Sequence, residues 1–157
     1  MVHDLAQLHV PEKFDRLRML YARMMFSAFP KATELVAVSE ATRADLVGLG
    51  LARERVRVVR NGVDAARFEP PAEGDARVQA ARSYLALQGA YLLYAARLEH
   101  PGKNHLRLLR AFARSAAARS HTLVLAGSDF GAGELVRAEI EKLGLAARVK
   151  VAGFVAD

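Results

Sequence analysis

Several features are missing from this 157-residue chain, and each absence narrows what the chain can do. It has no cysteine, which excludes disulfides, thiol nucleophiles and thiolate metal sites. No apolar run approaches the roughly 20 residues that a membrane-spanning helix needs. The N-terminus lacks a basic start followed by an apolar segment, so it does not look like a signal peptide. We therefore expect a globular, cytoplasmic protein.

Aromatic residues are few and tryptophan is absent, whereas basic residues are in excess. The net charge is +6, from 23 Lys and Arg against 17 Asp and Glu. Affinity for an anionic partner would explain this excess, and a non-catalytic module that binds nucleic acid or an anionic membrane surface is one hypothesis. The cations are mostly Arg and interleave with acidic residues, which favours a compositional habit of a GC-rich genome. Because aromatics do not alternate with Arg in stacking positions, nucleic acid is not expected as a partner.

One stretch joins an apolar run to a polar loop. Residues 91–95 are apolar and predict a buried strand. Arg97 and Lys103 follow in a short loop, and Asn104 lies at the predicted start of a helix. Ligands of open α/β sheets bind outside the carboxyl ends of strands, and a helix N-terminus favours anions. This stretch therefore predicts a site for a phosphate or a diphosphate.

Hydrophobic periodicity predicts the elements of the first sixty residues. Between Lys13 and Phe29, apolar side chains recur every three or four residues, which predicts an amphipathic helix. Its Met-rich stripe is expected to face the core. Two short strands are predicted at 35–38 and 56–59. Between them, Ser39 is expected to cap a helix.

A change in composition then separates two parts of the chain. Residues 63–75 contain Pro70, Pro71 and Gly74 and little regular apolar spacing, which predicts a linker. A helix is expected at 76–87. The remaining pattern reads strand, helix, strand, helix, strand, at about residues 91–95, 104–116, 121–126, 135–143 and 148–151. This order is typical of the βαβαβ half of a doubly wound sheet.

Four short motifs occur in an order that resembles one enzyme group. A strand ending in Ser39 is followed by a helix and by Asn-Gly-Val-Asp at 61–64. Further along come Arg-Leu followed by Lys-Asn, a strand ending in Ala-Gly, and Gly-Phe-Val at 153–155. Each motif is weak alone, but four in this order are fairly specific. The chain resembles retaining glycosyltransferases of the GT-B fold, in the group called family four.

The resemblance implies roles for residues of the second part. Arg97 and Lys103 would bind the diphosphate of a nucleotide-sugar donor, without a metal ion or another cofactor. Gly127, Gly153 and Phe154 would lie against the donor nucleotide. The alternatives are that Arg97 pairs with its neighbour Glu99 at the surface, that Gly127 is a plain turn, and that Phe154 packs in the core.

The resemblance also implies an architecture and a catalytic residue. Residues 1–62 would be the C-terminal part of an acceptor-side Rossmann-like domain. Residues 63–75 would be the interdomain linker, and 76–157 the first half of the donor-binding domain. His3, followed by Asp4, would contact the transferred sugar. The acceptor would be a glycan or a lipid-linked molecule, with peripheral contact to the inner membrane face.

The family pattern contains parts that this sequence does not. Its two Glu residues, seven positions apart, are expected beyond Asp157, and Glu134 and Glu141 lie on an earlier helix. The glycine-rich loop of the acceptor domain is expected before Met1. We therefore expect a fragment of a larger enzyme that is inactive, or nearly so, by itself.

Overall fold

The computed structural model describes residues 1–155, which fall into two units that divide after Glu69. The first unit contains three helices and two strands. They are α1 (Ala6–His9), α2 (Arg16–Ala28), β1 (Leu35–Ala37), α3 (Glu40–Gly48) and β2 (Val56–Val58). Short 3-10 turns lie at Pro11–Lys13, Phe29–Lys31 and Arg53–Arg55.

A small parallel sheet forms the centre of the first unit. β1 pairs with β2, and Val2 adds a parallel bridge to Ala37 on the other side of β1. The Ser39 hydroxyl accepts a hydrogen bond from the Thr42 backbone N–H at 3.0 Å, which confirms the predicted cap of α3. The core cluster of this unit is formed by Leu5, Leu35, Ala37, Leu46, Leu51 and Val56.

Helix α2 buries a different side from the one that the sequence predicts. Its fully buried residue is Ala22, and Phe26 packs against the core of the unit. The predicted core stripe is exposed instead: Leu17 79%, Leu20 56%, Tyr21 65%, Met24 64% and Met25 43%. The prediction of a buried Met-rich stripe is therefore wrong. The helix is apolar on two sides, and periodicity alone does not say which side meets the core.

The second unit alternates helices with strands. Its elements are α4 (Ala76–Tyr84), β3 (Tyr91–Ala95), α5 (His105–Arg114), α6 (Ala117–Ser120), β4 (Thr122–Ala126), α7 (Gly133–Lys142) and β5 (Val149–Gly153). These bounds confirm the predicted strand–helix order, although α4 ends three residues earlier than expected and α6 was not predicted. Residues 59–74, between the units, are exposed and form neither helix nor strand.

The sheet of the second unit is parallel, with the order β3-β4-β5. α5 and α7 pack against each other, and the core cluster of the unit comes from these helices, the strands and the loops between them: Leu98, Leu109, Phe112, Leu123, Leu125, Ala132, Val136, Ile140, Leu145 and Val149. Such burial contributes about 1.5–3 kcal/mol for each large side chain. The central strand β4 is the most buried.

Strand β3 forms as predicted, but its burial was predicted wrongly. It lies at an edge of the sheet, and Tyr91, Leu92 and Leu93 are 39%, 43% and 58% exposed. An apolar run predicts a strand with two covered faces, yet the exposure of an edge strand depends on its neighbours.

Among the described residues, no helix is long and apolar enough to cross a membrane.

Candidate functional site

The carboxyl ends of the three parallel strands bring several predicted residues to one edge of the sheet. Arg97 follows β3, Gly127 follows β4, and Gly153 ends β5. The Gly127 N–H donates to the Gly153 carbonyl at 2.7 Å, and the Ala96 N–H donates to the Ala126 carbonyl at 2.8 Å. This edge is where ligands bind in open α/β sheets, as the sequence predicts.

The loop from β3 to α5 is held by hydrogen bonds at both of its ends. The Tyr94 hydroxyl donates to the Lys103 carbonyl at 2.8 Å. The Lys103 backbone N–H donates to the Glu99 carbonyl at 3.3 Å, and the His100–Pro101 peptide bond is cis. Lys103 itself is exposed. The loop therefore presents the lysine side chain to solvent from a defined backbone.

Helix α5 begins without a side-chain cap. Asn104 precedes its first residue with φ 53°, a left-handed conformation that Asn tolerates better than most residues. Within residues 1–155, no side chain accepts a hydrogen bond from the first turn of α5. The first N–H groups of a helix have no intrahelical acceptor and carry a partial positive charge. This N-terminus is therefore open to an anion.

The Arg97 side chain makes two contacts, with Glu99 and with Phe130. Its Nε donates to Glu99 Oε2 at 2.7 Å, and its Cζ lies 4.5 Å from the centre of the Phe130 ring. The Glu99 side chain is 8% exposed and that of Arg97 is 45% exposed, so the guanidinium reaches the surface above a buried carboxylate. The pairing with Glu99 that the sequence offers as the alternative for Arg97 thus occurs. Because this ion pair uses Nε and the Arg97 side chain is still 45% exposed, the pairing is compatible with a ligand role.

His105 lies beneath this loop in an unusual state. The residue is 2% exposed, and its ring nitrogens make no hydrogen bond of good geometry, although the backbone of Glu99 and of Ala96 lies close enough to the ring to raise its pKa slightly. Its ring meets Tyr94 edge to face at 5.1 Å. Burial lowers the pKa of His105, and the charge of Lys103 acts in the same direction. The imidazole is therefore a neutral core group that supports the loop from below.

Gly127 makes a close approach to its own chain. A Cβ at this position would overlap the Ala96 carbonyl oxygen and lie 2.7 Å from the Arg97 nitrogen. Its φ of 151° is also one that L side chains rarely adopt. This contact sets the spacing between the ends of β3 and β4. Contact between Gly127 and a donor stays a prediction.

An acidic side chain binds the backbone at the start of α7. Asp129 Oδ1 accepts hydrogen bonds from the backbone N–H groups of Gly131, Ala132 and Gly133, at 3.0, 3.1 and 2.9 Å. A Cβ on Gly133 would overlap the Asp129 carboxylate. Gly131 and Ala132 precede the helix, so only the N–H of Gly133 is a helical one, and the carboxylate lies at the start of α7, where an external anion would approach. The sequence offered Asp129 as a signal, an Asp shortly before a helix start, but we did not predict its role.

Three further residues were predicted at the site: Phe154, His3 and Gly153. Phe154 is 77% exposed, so the alternative that it packs in the core is wrong. His3 lies in the first unit; it is exposed, and its backbone carbonyl accepts a hydrogen bond from the Thr42 hydroxyl at 3.3 Å. The functional roles of His3, Gly153 and Phe154 stay predictions.

Comparison with known proteins supports the resemblance read from the sequence. The family model described as Glycosyltransferase Family 4 matches residues 1–67. A search of curated proteins found no match. Among solved structures, Anabaena HepE in complex with UDP and glucose is 24% identical over 93% of this chain, with a TM-score of 0.69. The chain has a partial GT-B glycosyltransferase fold.

Other solved glycosyltransferases show the same likeness. One from Rickettsia africae is 19% identical, with a TM-score of 0.70 over 81% of this chain and 35% of its own length. WaaG, which is involved in lipopolysaccharide biosynthesis, is 18% identical, with a TM-score of 0.64 over 98% of this chain and 44% of its own. The chain spans 39% of HepE. It thus spans less than half the length of each of these solved structures.

Proposed function

We propose that this chain is the portion of a glycosyltransferase that holds the diphosphate of a nucleotide-sugar donor. One observation carries the proposal: Arg97 and Lys103 flank the loop that leads into α5, a helix with an open N-terminus at the carboxyl edge of the sheet. The fold relatives support it, because HepE was solved with UDP and with UDP-glucose.

The chemistry follows from where charge develops during glycosyl transfer. As the bond between the sugar and the diphosphate breaks, negative charge builds on the leaving oxygens. Fixed cations and N–H groups aimed at those oxygens stabilise the transition state more than the ground state. Arg97 offers a planar pair of donors, and Lys103 offers a compact charge. Together they would supply the stabilisation that a divalent cation gives elsewhere, so no metal ion is required.

The complete reaction would use parts of the enzyme outside this chain. We propose transfer with retention to a glycan or lipid-linked acceptor, with His3 against the transferred sugar and Gly127, Gly153 and Phe154 near the nucleotide. The paired Glu residues of the family pattern would complete the sugar site. The 157-residue chain should therefore bind donor weakly and show little or no turnover. Full turnover by this chain would contradict that expectation.

Calorimetric titration with UDP, GDP and ADP tests the diphosphate site. The double variant Arg97→Ala, Lys103→Ala should weaken binding of the preferred nucleotide by at least about tenfold, because two charge-assisted contacts are lost. The matched control is Arg114→Ala, Arg119→Ala, which removes two exposed cations from the same unit. The control should bind like the native chain.

The same titration separates this proposal from the hypothesis of a non-catalytic basic module. If both double variants weaken binding equally, the affinity depends on net charge, and the result supports the hypothesis of a basic module. If neither does, the assignment of Arg97 and Lys103 is wrong. Retention on a polyanion column that survives loss of Arg97 and Lys103 would likewise favour the basic module.

Peripheral contact with a membrane also belongs to the proposal. A lipid-linked acceptor would lie at a membrane surface, and α2 exposes Leu20 and Met24 close to Arg16 and Arg23. Co-sedimentation with vesicles containing anionic lipid tests this contact. The variant Leu20→Ser, Met24→Ser should reduce the bound fraction, whereas unchanged binding would remove α2 from the proposal.

A further inference from the structure

We infer that Phe130 and Glu99 are positioning residues that hold the Arg97 guanidinium in one orientation for an anionic ligand. The inference rests on the proposed function, since the ligand it serves is the donor diphosphate. It assigns a role to Phe130, which the sequence patterns did not place at the site, and to Glu99, which they offered only as an alternative partner of Arg97. Neither side chain is proposed to touch the ligand.

The Glu99 contact fixes one edge of the guanidinium. Its Oε2 accepts from Arg97 Nε at 2.7 Å, and its side chain is 8% exposed. A buried carboxylate has few orientations open to it, so it can serve as a fixed support. Since this bond uses Nε, the two terminal amino groups of Arg97 are left as donors for a ligand.

The Phe130 contact covers one face of the same group. Its ring centre lies 4.5 Å from Arg97 Cζ, within the range of a cation–π interaction. The ring is 61% exposed, so burial in the core does not account for its position. An exposed aromatic ring over a half-exposed guanidinium restricts the plane of the cation.

Backbone hydrogen bonds set the relative position of the two residues. The Leu98 N–H donates to the Ser128 carbonyl at 2.8 Å, and the Phe130 N–H donates to the Leu98 carbonyl at 2.9 Å. Leu98 and Asp129 form a parallel bridge beyond the ends of β3 and β4. The loops that carry Arg97 and Phe130 are therefore one continuous extension of the sheet.

Orientation matters because of the shape of the cation. A guanidinium binds phosphate best through two parallel N–H donors in its own plane. A side chain that already has the right plane loses less conformational freedom on binding. Glu99 at Nε and Phe130 over one face leave the planar outer edge of Arg97 as the part presented to a diphosphate.

Three substitutions test the assignment of Phe130. Phe130→Leu keeps an apolar side chain but removes the π face, and Phe130→Tyr restores that face. Phe68→Leu is the matched control, since Phe68 is 67% exposed in the other unit and its ring centre lies 5.6 Å from Arg67 Cζ. The first readout is the ¹H–¹⁵N signal of Arg97 Nε, which senses both the ring current of Phe130 and the hydrogen bond to Glu99. The second is UDP affinity by calorimetry.

We expect Phe130→Leu to shift the Arg97 Nε signal, to speed its exchange with solvent and to weaken UDP binding about two- to fivefold. Phe130→Tyr should restore both readouts, and Phe68→Leu should change neither. An Arg97 signal that Phe130→Leu leaves in place would overturn the role of Phe130. If the signal moves but UDP affinity stays unchanged, the inference that Phe130 assists diphosphate binding would be overturned.

Glu99→Gln tests the second positioning residue. It keeps an oxygen acceptor but removes the carboxylate charge, so the Arg97 Nε–H signal should move upfield as its hydrogen bond weakens. An unmoved signal would overturn the role of Glu99. Failure of the proposed function gives a different result: the native chain and the Arg97→Ala, Lys103→Ala variant would bind UDP alike. The NMR signals of Arg97 would still show whether Glu99 and Phe130 position its guanidinium.

Discussion

The second unit contains two strand-to-helix turns, β3–α5 and β4–α7, which are built alike but carry opposite charges at the start of the helix. α5 and α7 each span ten residues, and they follow the neighbouring strands β3 and β4. At α7, the Asp129 carboxylate takes the hydrogen bonds of three backbone N–H groups. At α5, no described side chain does so, and two cations, Arg97 and Lys103, lie in the loop before it. The chain therefore places a negative charge at the start of α7 and two positive charges before α5, and this difference favours the first turn as an anion site.

The comparison depends on the two turns lying side by side, and Gly127 is where they touch. Gly127→Ala would push a Cβ into the Ala96 backbone at an unfavourable φ, so we expect the unfolding free energy to fall by more than about 3 kcal/mol. Gly131→Ala is the control, because it has a positive φ but no atom within 4 Å of the added Cβ. It should lose only about 1–2 kcal/mol. Urea unfolding followed by circular dichroism measures both, and equal losses would show that the contact with Ala96 is unimportant.

Removing the Asp129 carboxylate would make the second turn resemble the first. Asp129→Ala leaves three N–H groups without their acceptor, and we expect a loss of about 1–2 kcal/mol in the unfolding free energy. Asp129→Asn keeps an oxygen acceptor and should lose less. Urea unfolding again gives the values. If Asp129→Ala unfolded like the native chain, α7 would not depend on this cap, and the contrast between the two turns would lose its energetic basis.

Adding a carboxylate before α5 would make the first turn resemble the second. Asn104→Asp places a negative charge beside an open N-terminus, which should stabilise the helix by about 0.3–1 kcal/mol. The same charge should repel a diphosphate, so UDP affinity should fall as stability rises. Asn104→Gly, which also tolerates a left-handed conformation, carries no charge and separates the electrostatic effect from the conformational one. UDP affinity that rises or stays level in Asn104→Asp would place the diphosphate elsewhere.

Local patterns predicted most elements of the second unit and the place of the two cations. Period-two and period-3.6 patterns are properties of neighbouring residues, and a loop between a strand and a helix is visible in the order of residues. For that reason Arg97 and Lys103 could be assigned to the carboxyl edge of a sheet before any coordinates were known. The position of Arg97 and Lys103 in the turn between β3 and α5 is confirmed, and their role in ligand binding stays a prediction.

Long-range features escaped the same reasoning. Phe130 meets Arg97 only because β3 and β4 pair in one register, and no local pattern specifies that register. The exposure of Leu93 on β3 and of Met24 on α2 depends on which neighbours cover these elements, so both were wrongly predicted as buried. Asp129 was within reach of the sequence, since an Asp before a helix start is a known capping signal.

The smallest expected effect concerns the single proton that His105 can take up beneath the open turn. Burial lowers the pKa of His105 below its ordinary value of 6.5, so the unfolded chain binds this proton more readily than the folded one. Stability that is present above about pH 6.5 should therefore decline as the pH falls below that value. His105→Phe keeps the edge-to-face contact with Tyr94 and removes the titration. The unfolding free energy of this variant, measured in urea, should therefore decline less steeply between pH 7 and pH 5 than that of the native chain. The exposed His100 provides the control as His100→Phe, which should keep the native slope. If the unfolding free energy of His105→Phe declined with falling pH as steeply as that of the native chain, the acid sensitivity would arise from groups other than His105.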